Sequence, residues 1–393
     1  MTLIACTINH KVPFITADTL MSSRAGKPTV ILPTNSFDIN PYLKADATYK
    51  PDSLAQKLYI IGGNICVAVA GDEYEIVQFL RELKNRCKLF DRVTEPVIRN
   101  FLDDYKLNTQ LTKSAFFLIC IEHRNPDSIY VGMFNYPQKI QEVSTNNRGG
   151  WKVLQNEVYD QVYAYGSGAE SFLNIVKQTG IFDSRHSKGD IWYAIQSNVS
   201  LVAKILAIER ITLHNLQTHW GGGFETAFYN GREFEKISDI VYVICNGKFD
   251  KDGDIGLPTP GLFLYYTYKE QILYIVRIEV KKFKGEYVED RIILTAGTEN
   301  FKSDCFVVQE MGNVSDTQTM LNDFSFKTHR VAMGYGIITP VNGVFNPCSI
   351  NFHGSLTVTY EHEKKIEIIL SREIVESTRA SAKKVFDNNW REI

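Results

Sequence analysis

Thr2 is the first residue whose type and position suggest chemistry. Thr is small, so removal of Met1 is the ordinary fate of such an N-terminus. The α-amine exposed would have an unperturbed pKa of ~7.7–8.0 and can take up a proton at neutral pH. A Thr hydroxyl paired with its own terminal amine is an activated nucleophile. Position two is a common place for Thr, so context must carry the rest. Other chemical signatures are weaker. The run Asp250, Asp252, Asp254 resembles a Ca²⁺ loop but has Ile255 where Gly is required and Gly261 where a bidentate Glu is required, and it reads as a solvated linker. The seven cysteines include no CxxC pair, and several sit in apolar runs, so buried thiols are expected and no metal. Cys6 lies on the strand that follows Thr2 but is internal, and it is read as core. No P-loop or GxGxxG is present.

The elements that must position Thr2 follow from periodicity. Leu3–Ile8 and Val12–Ala17 read as two strands around the turn Asn9-His10-Lys11. Residues 24–55 are polar, carry Pro28, Pro33, Pro41 and Pro51, and show no sustained period; they read as a long loop. Lys57–Gly71 returns to strand. Asp72 can cap a helix whose apolar face is Ile76, Phe79, Leu80, Leu83 and Cys87. A second helix is expected over Thr94–Tyr105, with Pro96 in its first turn. Strands at Ala115–Glu122, Ser128–Phe134 and Val162–Tyr165 precede helices at Ala169–Gln178 and Asp190–His214. Strands at Phe224–Tyr229 and Ile237–Cys245 follow. Strands and helices grouped this way suit antiparallel sheets with helices outside, a four-layer αββα arrangement of class α+β. Asn246–Gly261 reads as a linker, and residues 262–393 as a β-rich domain ending in a helix over Glu373–Trp390.

Four anchors in order carry a family resemblance. The opening, TLIACTINHKVPFITADTLMSS, resembles the start of a mature proteasome β subunit, with Ala17-Asp18-Thr19 at the matching distance from Thr2. Lys57 and its apolar strand, then the small-residue strand Val67–Ala70 ending in Gly71, resemble the next two family features. Tyr165-Gly166-Ser167-Gly168-Ala169 resembles the strand-to-helix turn. The chain is thus similar over residues 2–245 to N-terminal nucleophile (Ntn) hydrolases of the proteasome β/HslV type.

The resemblance implies an Ntn-hydrolase domain over 1–247 with an inserted loop at 24–56. It implies Thr2 as nucleophile and its α-amine as base. It further implies Lys57 as a charge that lowers the hydroxyl pKa, Asp18 as partner of Lys57, Gly71 N–H as oxyanion donor, and Ser167 as an aid to proton transfer. Met21 and Val69 would line the pocket for the residue before the cleaved bond. It implies no cofactor, a peptide or protein substrate, a homo-oligomer and an ATP-dependent unfoldase as partner.

Two departures are visible. The loop between Asp18 and Lys57 is longer than the family's by roughly two dozen residues. The family's Asp and Ser before a Gly-Gly are replaced: depending on register the Asp becomes Gln217 or Thr218, and the Ser becomes Trp220 or Gly221. A catalytically inactive structural subunit and a non-proteolytic amidase therefore stand as alternatives to a threonine peptidase.

Composition bounds these readings. Apolar residues are 44% and the formal net charge is −2, so a strongly basic nucleic-acid footprint is excluded and a globular fold is expected. The N-terminus has no signal-peptide pattern and the longest apolar run is too short to span a bilayer, so a cytoplasmic protein with no membrane partner is expected. No role follows for Lys27, Lys44 or Lys50, and the loop that holds them is expected to gate access or mediate assembly.

Overall fold

The computed structural model describes residues 2–9, 12–24, 26, 29–42, 49–105, 110–125, 128–136, 152–155, 161–179, 191–248, 259–312, 324–338, 345–350, 356–376 and 380. Apolar and β-branched runs pair early. β1 (Leu3–Asn9) and β2 (Val12–Asp18) form a hairpin, and β3 (Leu20–Ser23) pairs with β4 (Lys50–Leu54). β5 (Leu58–Ile61), β6 (Ile65–Ala70), β7 (Ala115–Asn125) and β8 (Ser128–Tyr136) make a four-stranded antiparallel sheet. β9 (Lys152–Gln155), β10 (Gln161–Gly166), β11 (Phe224–Tyr229) and β12 (Phe234–Lys236) join the first hairpin in a six-stranded sheet, ordered β12-β11-β2-β1-β10-β9.

These two sheets face each other. Alternate residues of β1 and β2 (Ile4, Cys6, Ile15, Ala17) meet Cys66, Ala68 and Ala70 of β6 and Phe117 of β7 in one buried cluster. The opposite residues of β6, Val67 and Val69, pack under α1 (Glu73–Cys87) and α2 (Glu95–Asp104) through Phe79, Leu83, Ile98 and Phe101. Asp72 caps α1 by accepting from Glu75 N at 3.2 Å, and Pro96 stands in the first turn of α2, as the sequence suggests. On the outer side of the six-stranded sheet, Leu3, Ala5, Val162 and Ala164 pack with α3 (Ala169–Thr179) and α4 (Ile191–Thr212); the short α5 (His214–Gln217) follows.

α4 has apolar residues on all sides, which fits a helix buried on both faces. Its second face is covered by a further sheet. β13 (Ile240–Lys248), β14 (Thr259–Lys269) and β15 (Ile272–Val280) are followed by β16 (Lys284–Val288), β17 (Arg291–Gly297) and β18 (Phe301–Val308). Then come β19 (Phe326–Thr328), β20 (Val331–Ile338), β21 (Phe345–Ile350), β22 (Thr357–Glu361) and β23 (Lys365–Ser371). The covering sheet runs β18-β15-β14-β13-β20-β21, and a five-stranded sheet, β16-β17-β23-β22-β19, packs on its far side. β20 approaches α4 closely: a Cβ on Gly334 would fall 2.3 Å from the Ala203 carbonyl oxygen. Tyr242, Leu264, Ile275 and Phe306 from the covering sheet share one core with Leu206 and Ala207 of α4 and with Leu3.

Two expectations change here. The boundary placed at 247 falls inside β13, which pairs with β14 on one side and, in parallel, with β20 on the other. Most of the expected linker, the Asp250–Asp254 run, Lys27, Lys44 and, apart from residue 380, the terminal helix beyond residue 376 lie outside the described residues. The inserted segment, expected as a loop that gates access or mediates assembly, is in part core. Val30, Leu32, Thr34, Asn35 and Ile39 are all at most 6% exposed, and Val30, Leu32 and Ile39 belong to the core around α4, while Phe37 and Tyr42 stay exposed. Its apolar residues are few and have no period, so they read as loop; these three are buried because the covering sheet supplies a wall that the local sequence does not reveal. The cysteines Cys6, Cys66, Cys87, Cys120, Cys245 and Cys305 are free and buried, as expected of core thiols. Among the described residues no helix is long and apolar enough to cross a membrane.

Candidate active site

Thr2 stands at the entrance to β1, where Leu3 pairs with Gly166 of β10 and Ile4 with Ala17 of β2. Gly166 is fixed as glycine by two facts. Its φ is +103°, and a Cβ there would lie 1.9 Å from the Thr2 carbonyl oxygen. Asp18 ends β2 on the same sheet. Lys57 precedes β5 on the facing sheet, and its carbonyl accepts from Val69 N at 3.0 Å.

These three side chains meet. Lys57 Nζ lies 2.6 Å from Thr2 Oγ1, 2.8 Å from Asp18 Oδ1 and 2.5 Å from the Leu20 carbonyl. The Thr2 hydroxyl in turn donates to Asp18 Oδ1. Asp18 also accepts from Leu3 N at 3.0 Å through Oδ1 and from Gly221 N at 2.9 Å through Oδ2. All three residues are buried, with Thr2 the most exposed at 3%. Burial pulls the Lys57 ammonium below its ordinary pKa range, opposed by the charge of Asp18, their hydrogen bond and the charge of Glu225. A hydroxyl that donates to a carboxylate and accepts from an ammonium is held in one orientation and is polarised toward the alkoxide.

The other expected residues sort differently. Gly71 closes β6 immediately before the cap of α1. It has φ +121°, and a Cβ there would come 2.3 Å from the Lys113 carbonyl, so only glycine fits. It lies two residues beyond Val69, the neighbour of Lys57 across the strand pair. Ser167 follows Gly166 next to Thr2 in register, but it is exposed, and the hydrogen bonds of the Thr2 hydroxyl do not include it. Met21 and Val69 join one apolar cluster that also contains Tyr59 and Met311. Met311, whose N–H donates to the Tyr59 hydroxyl at 3.1 Å, is a wall the sequence did not reveal.

The segment 214–223 supplies no acid to the site; it packs instead. Trp220 is buried against Gly168, where a Cβ would meet its ring at 2.5 Å, and its indole N–H donates to the Thr218 hydroxyl at 2.9 Å. Gly221, Gly222 and Gly223 all have positive φ, a conformation that turns successive backbone N–H groups toward anions. Gly221 N reaches Asp18, and Gly222 N reaches Glu209, at 3.0 Å to Oε2 and 3.2 Å to Oε1.

Glu209 is the principal residue that sequence reasoning missed. It is fully buried on α4, accepts from Asn215 Nδ2 at 2.6 Å and bonds the Thr34 hydroxyl of the inserted segment. Burial pushes its carboxyl up to about 7, and the charge of Asp18 adds to this. Hydrogen bonds from Thr34, Gly222 and Asn215 pull the other way. A lone acid in an apolar helix is the one signal that could have found it, because an acid there must have partners. Glu225 was also missed. It is buried on β11, accepts from Lys57 N at 2.8 Å, and binds Lys236 Nζ at 2.7 Å and the Tyr268 hydroxyl at 3.1 Å. Lys236 Nζ lies 2.6 Å from Gln56 Oε1, and Gln56 Nε2 donates to the carbonyls of Gln271 and Val308 at 2.8 Å each. The backbone that carries Lys57 is thereby tied to the covering sheet.

Compared with known protein families and with curated proteins, the sequence finds no match in either.

Proposed function

We propose that this chain is a threonine-type amide hydrolase of the Ntn kind, acting on peptide bonds. The observation that carries the reading is the buried Thr2–Lys57–Asp18 constellation, with Lys57 Nζ 2.6 Å from Thr2 Oγ1 and 2.8 Å from Asp18 Oδ1. The layer order supports it. Two facing sheets, with α1 and α2 packed on one and α3 and α4 on the other, are the layers that a four-layer αββα reading calls for, here with a further sheet over α4.

In this mechanism Met1 is removed and the freed Thr2 amine takes the hydroxyl proton as Oγ1 attacks the scissile carbonyl carbon. Lys57 stabilises the developing alkoxide, and Asp18 holds Lys57 and the hydroxyl in line. Gly71 N–H, at the N-terminus of α1, donates to the oxyanion. The C–N bond then breaks, the leaving amine carries off the proton held by the Thr2 amine, and water hydrolyses the resulting Thr2 ester. Met21 and Val69, which cluster with Met311, would line the pocket for the residue before the cleaved bond and favour an apolar side chain there. An oligomeric assembly and a partner unfoldase remain part of the proposal, as does a cytoplasmic location. A second reading, an inactive subunit that keeps the fold, is favoured by the absence of an acid among residues 214–223.

A peptide β-lactone separates the two. Protein lacking Met1 is incubated with it and read by intact mass. One acyl adduct, mapped to Thr2 and absent from Thr2→Ala, is expected. No adduct on protein whose Thr2 amine is shown to be free would overturn the hydrolase reading and leave the inactive subunit.

A further inference from the structure

We propose that Glu209, fastened by Thr34 of the inserted segment, is a positioning residue that holds Asp18 in place through Gly221, the residue between the two amides that the carboxylates share. This deepens the hydrolase reading above and rests on it for its consequences in catalysis.

The geometry is a chain of short, buried contacts. Glu209 accepts from Gly222 N, and the neighbouring amide, Gly221 N, donates to Asp18 Oδ2 at 2.9 Å. Glu209 also fixes the identity of residue 221: a Cβ there would lie 1.9 Å from Glu209 Oε2 and 2.8 Å from Asn215 Nδ2. The carboxylate therefore lies directly against the peptide that grips Asp18. On its other side Glu209 meets the Thr34 hydroxyl. The turn carrying Thr34 is itself pinned: Arg210 Nη1 donates to the Thr34 carbonyl at 3.0 Å, and Arg277 Nη1 of β15 donates to the carbonyls of Leu32 and Asn35 at 3.1 and 2.8 Å. Insertion, helix and covering sheet converge on one carboxylate one residue away from the nucleophile's partner.

Charge gives the arrangement a second property. The charged and titratable groups around Glu209 are Asp18 across Gly221, with Lys57 beyond it, and Tyr266 of β14. Arg210, next along the helix, is turned to Thr34 and to Glu279 at 2.9 Å. With both carboxylates ionised and one ammonium among them, the cluster carries a net negative charge away from water, which is unfavourable. Gly222 N, Asn215 Nδ2 and the Thr34 hydroxyl all donate to Glu209 and favour its carboxylate, and Asn35 Nδ2 donates to Thr34 at 3.1 Å, whereas burial and the charge of Asp18 favour the neutral acid.

The test compares Glu209→Ala, Glu209→Gln and Thr34→Val with wild type by two readouts. The first is amide hydrogen exchange at Gly221, which needs no catalytic activity. The second is the rate of Thr2 acylation by the peptide β-lactone between pH 6 and pH 8.5. Glu209→Ala is expected to speed Gly221 exchange and slow acylation, each by about tenfold, while exchange in β6 and β7 is unchanged. Glu209→Gln, which keeps one acceptor oxygen for Gly222 N, restores part of both. Thr34→Val falls between. Wild-type Gly221 exchange in Glu209→Ala overturns the positioning role whether or not Thr2 reacts. If wild type is not acylated at all while Gly221 exchange responds as stated, the hydrolase reading falls and the clamp stands.

Discussion

Asp18 and Glu209 accept hydrogen bonds from consecutive backbone amides, Gly221 and Gly222, so two buried carboxylates from β2 and α4 are bridged by a single residue, Gly221. Only residues at positive φ present two adjacent amides in this way, which explains three glycines in a row at 221–223.

Thr2→Ala is expected to lower turnover by several orders of magnitude, as other nucleophile deletions do. Stability should change by no more than about 1 kcal/mol, because Asp18 keeps Leu3 N, Gly221 N and Lys57 as donors. Peptide hydrolysis and thermal unfolding of the same preparation check both halves. Undiminished turnover would remove Thr2 from the mechanism.

Lys57→Met should fail in a different way. It removes the ammonium from a buried pair and leaves Asp18 uncompensated, a change that typically costs about 3–5 kcal/mol. Activity and melting temperature should therefore fall together. Lys57→Arg should not rescue, since a planar guanidinium cannot place one compact charge on Thr2, Asp18 and the Leu20 carbonyl at once. A Lys57→Met protein as stable as wild type would show that the buried Lys57–Asp18 pair does not support the fold.

Glu209 gives stability a pH dependence of definite sign. Its ordinary pKa is 4.5 and burial pushes it up to about 7. Below 4.5 both folded and unfolded chains hold the proton. Between 4.5 and about 7 only the folded chain does, so this contribution declines as pH rises through that window and is gone above it. The loss is on the order of 3 kcal/mol. Denaturant unfolding at pH 5.5 and pH 8.5 should show wild type losing stability relative to Glu209→Gln at the higher pH. Parallel behaviour of the two proteins would contradict it.

Two glycines offer a matched pair. Gly166→Ala drives a methyl into the Thr2 carbonyl oxygen and should destabilise by on the order of 3 kcal/mol while abolishing acylation. Gly231→Ala also places Ala at positive φ, at +99°, but meets nothing within 4 Å, so it should cost about 1 kcal/mol and leave acylation intact. Equal effects from the two would show that backbone strain, and not contact with Thr2, governs position 166.

Replacing residues 29–42 by a Gly/Ser connector should unfold the protein or lower its melting point steeply. Leu32 and Ile39 are core residues, and Arg277 would lose both carbonyl partners. Survival of small-peptide hydrolysis, expected of a mere gate, would place the segment outside the catalytic unit.

The sequence was legible where chemistry is local. β1, β2, β5 and β6 alternate or run apolar over few residues, and the caps at Asp72 and Pro96 obey short-range rules, so the strands and helices that carry Thr2, Asp18 and Lys57 could be read directly. The inserted segment could not. Its buried positions, Val30, Leu32, Thr34 and Ile39, follow no period, and the groups that bury them lie far along the chain, at Glu209, Arg210 and Arg277. Glu209 was hidden for the same reason: its partners, Thr34, Asn215 and Gly222, come from both sides of it in sequence. The division at 247 was drawn by position, where β13 closes the first half; its register, which pairs β13 with strands that follow it, is not visible locally.

That register orders events in time. Val241 pairs with Val331, and α4 is enclosed only when β20 has been added, so the fold around Glu209 and Gly221 closes through contacts distant along the chain, which form slowly. Synthesis delivers the N-terminus first and β20 near the end. On the proposed mechanism, Met1 can be removed from a nascent chain long before Asp18 and Lys57 are locked in place. The nucleophile would thus be unmasked early and armed late, and a chain interrupted before β20 would carry a free Thr2 amine with no finished site to use it.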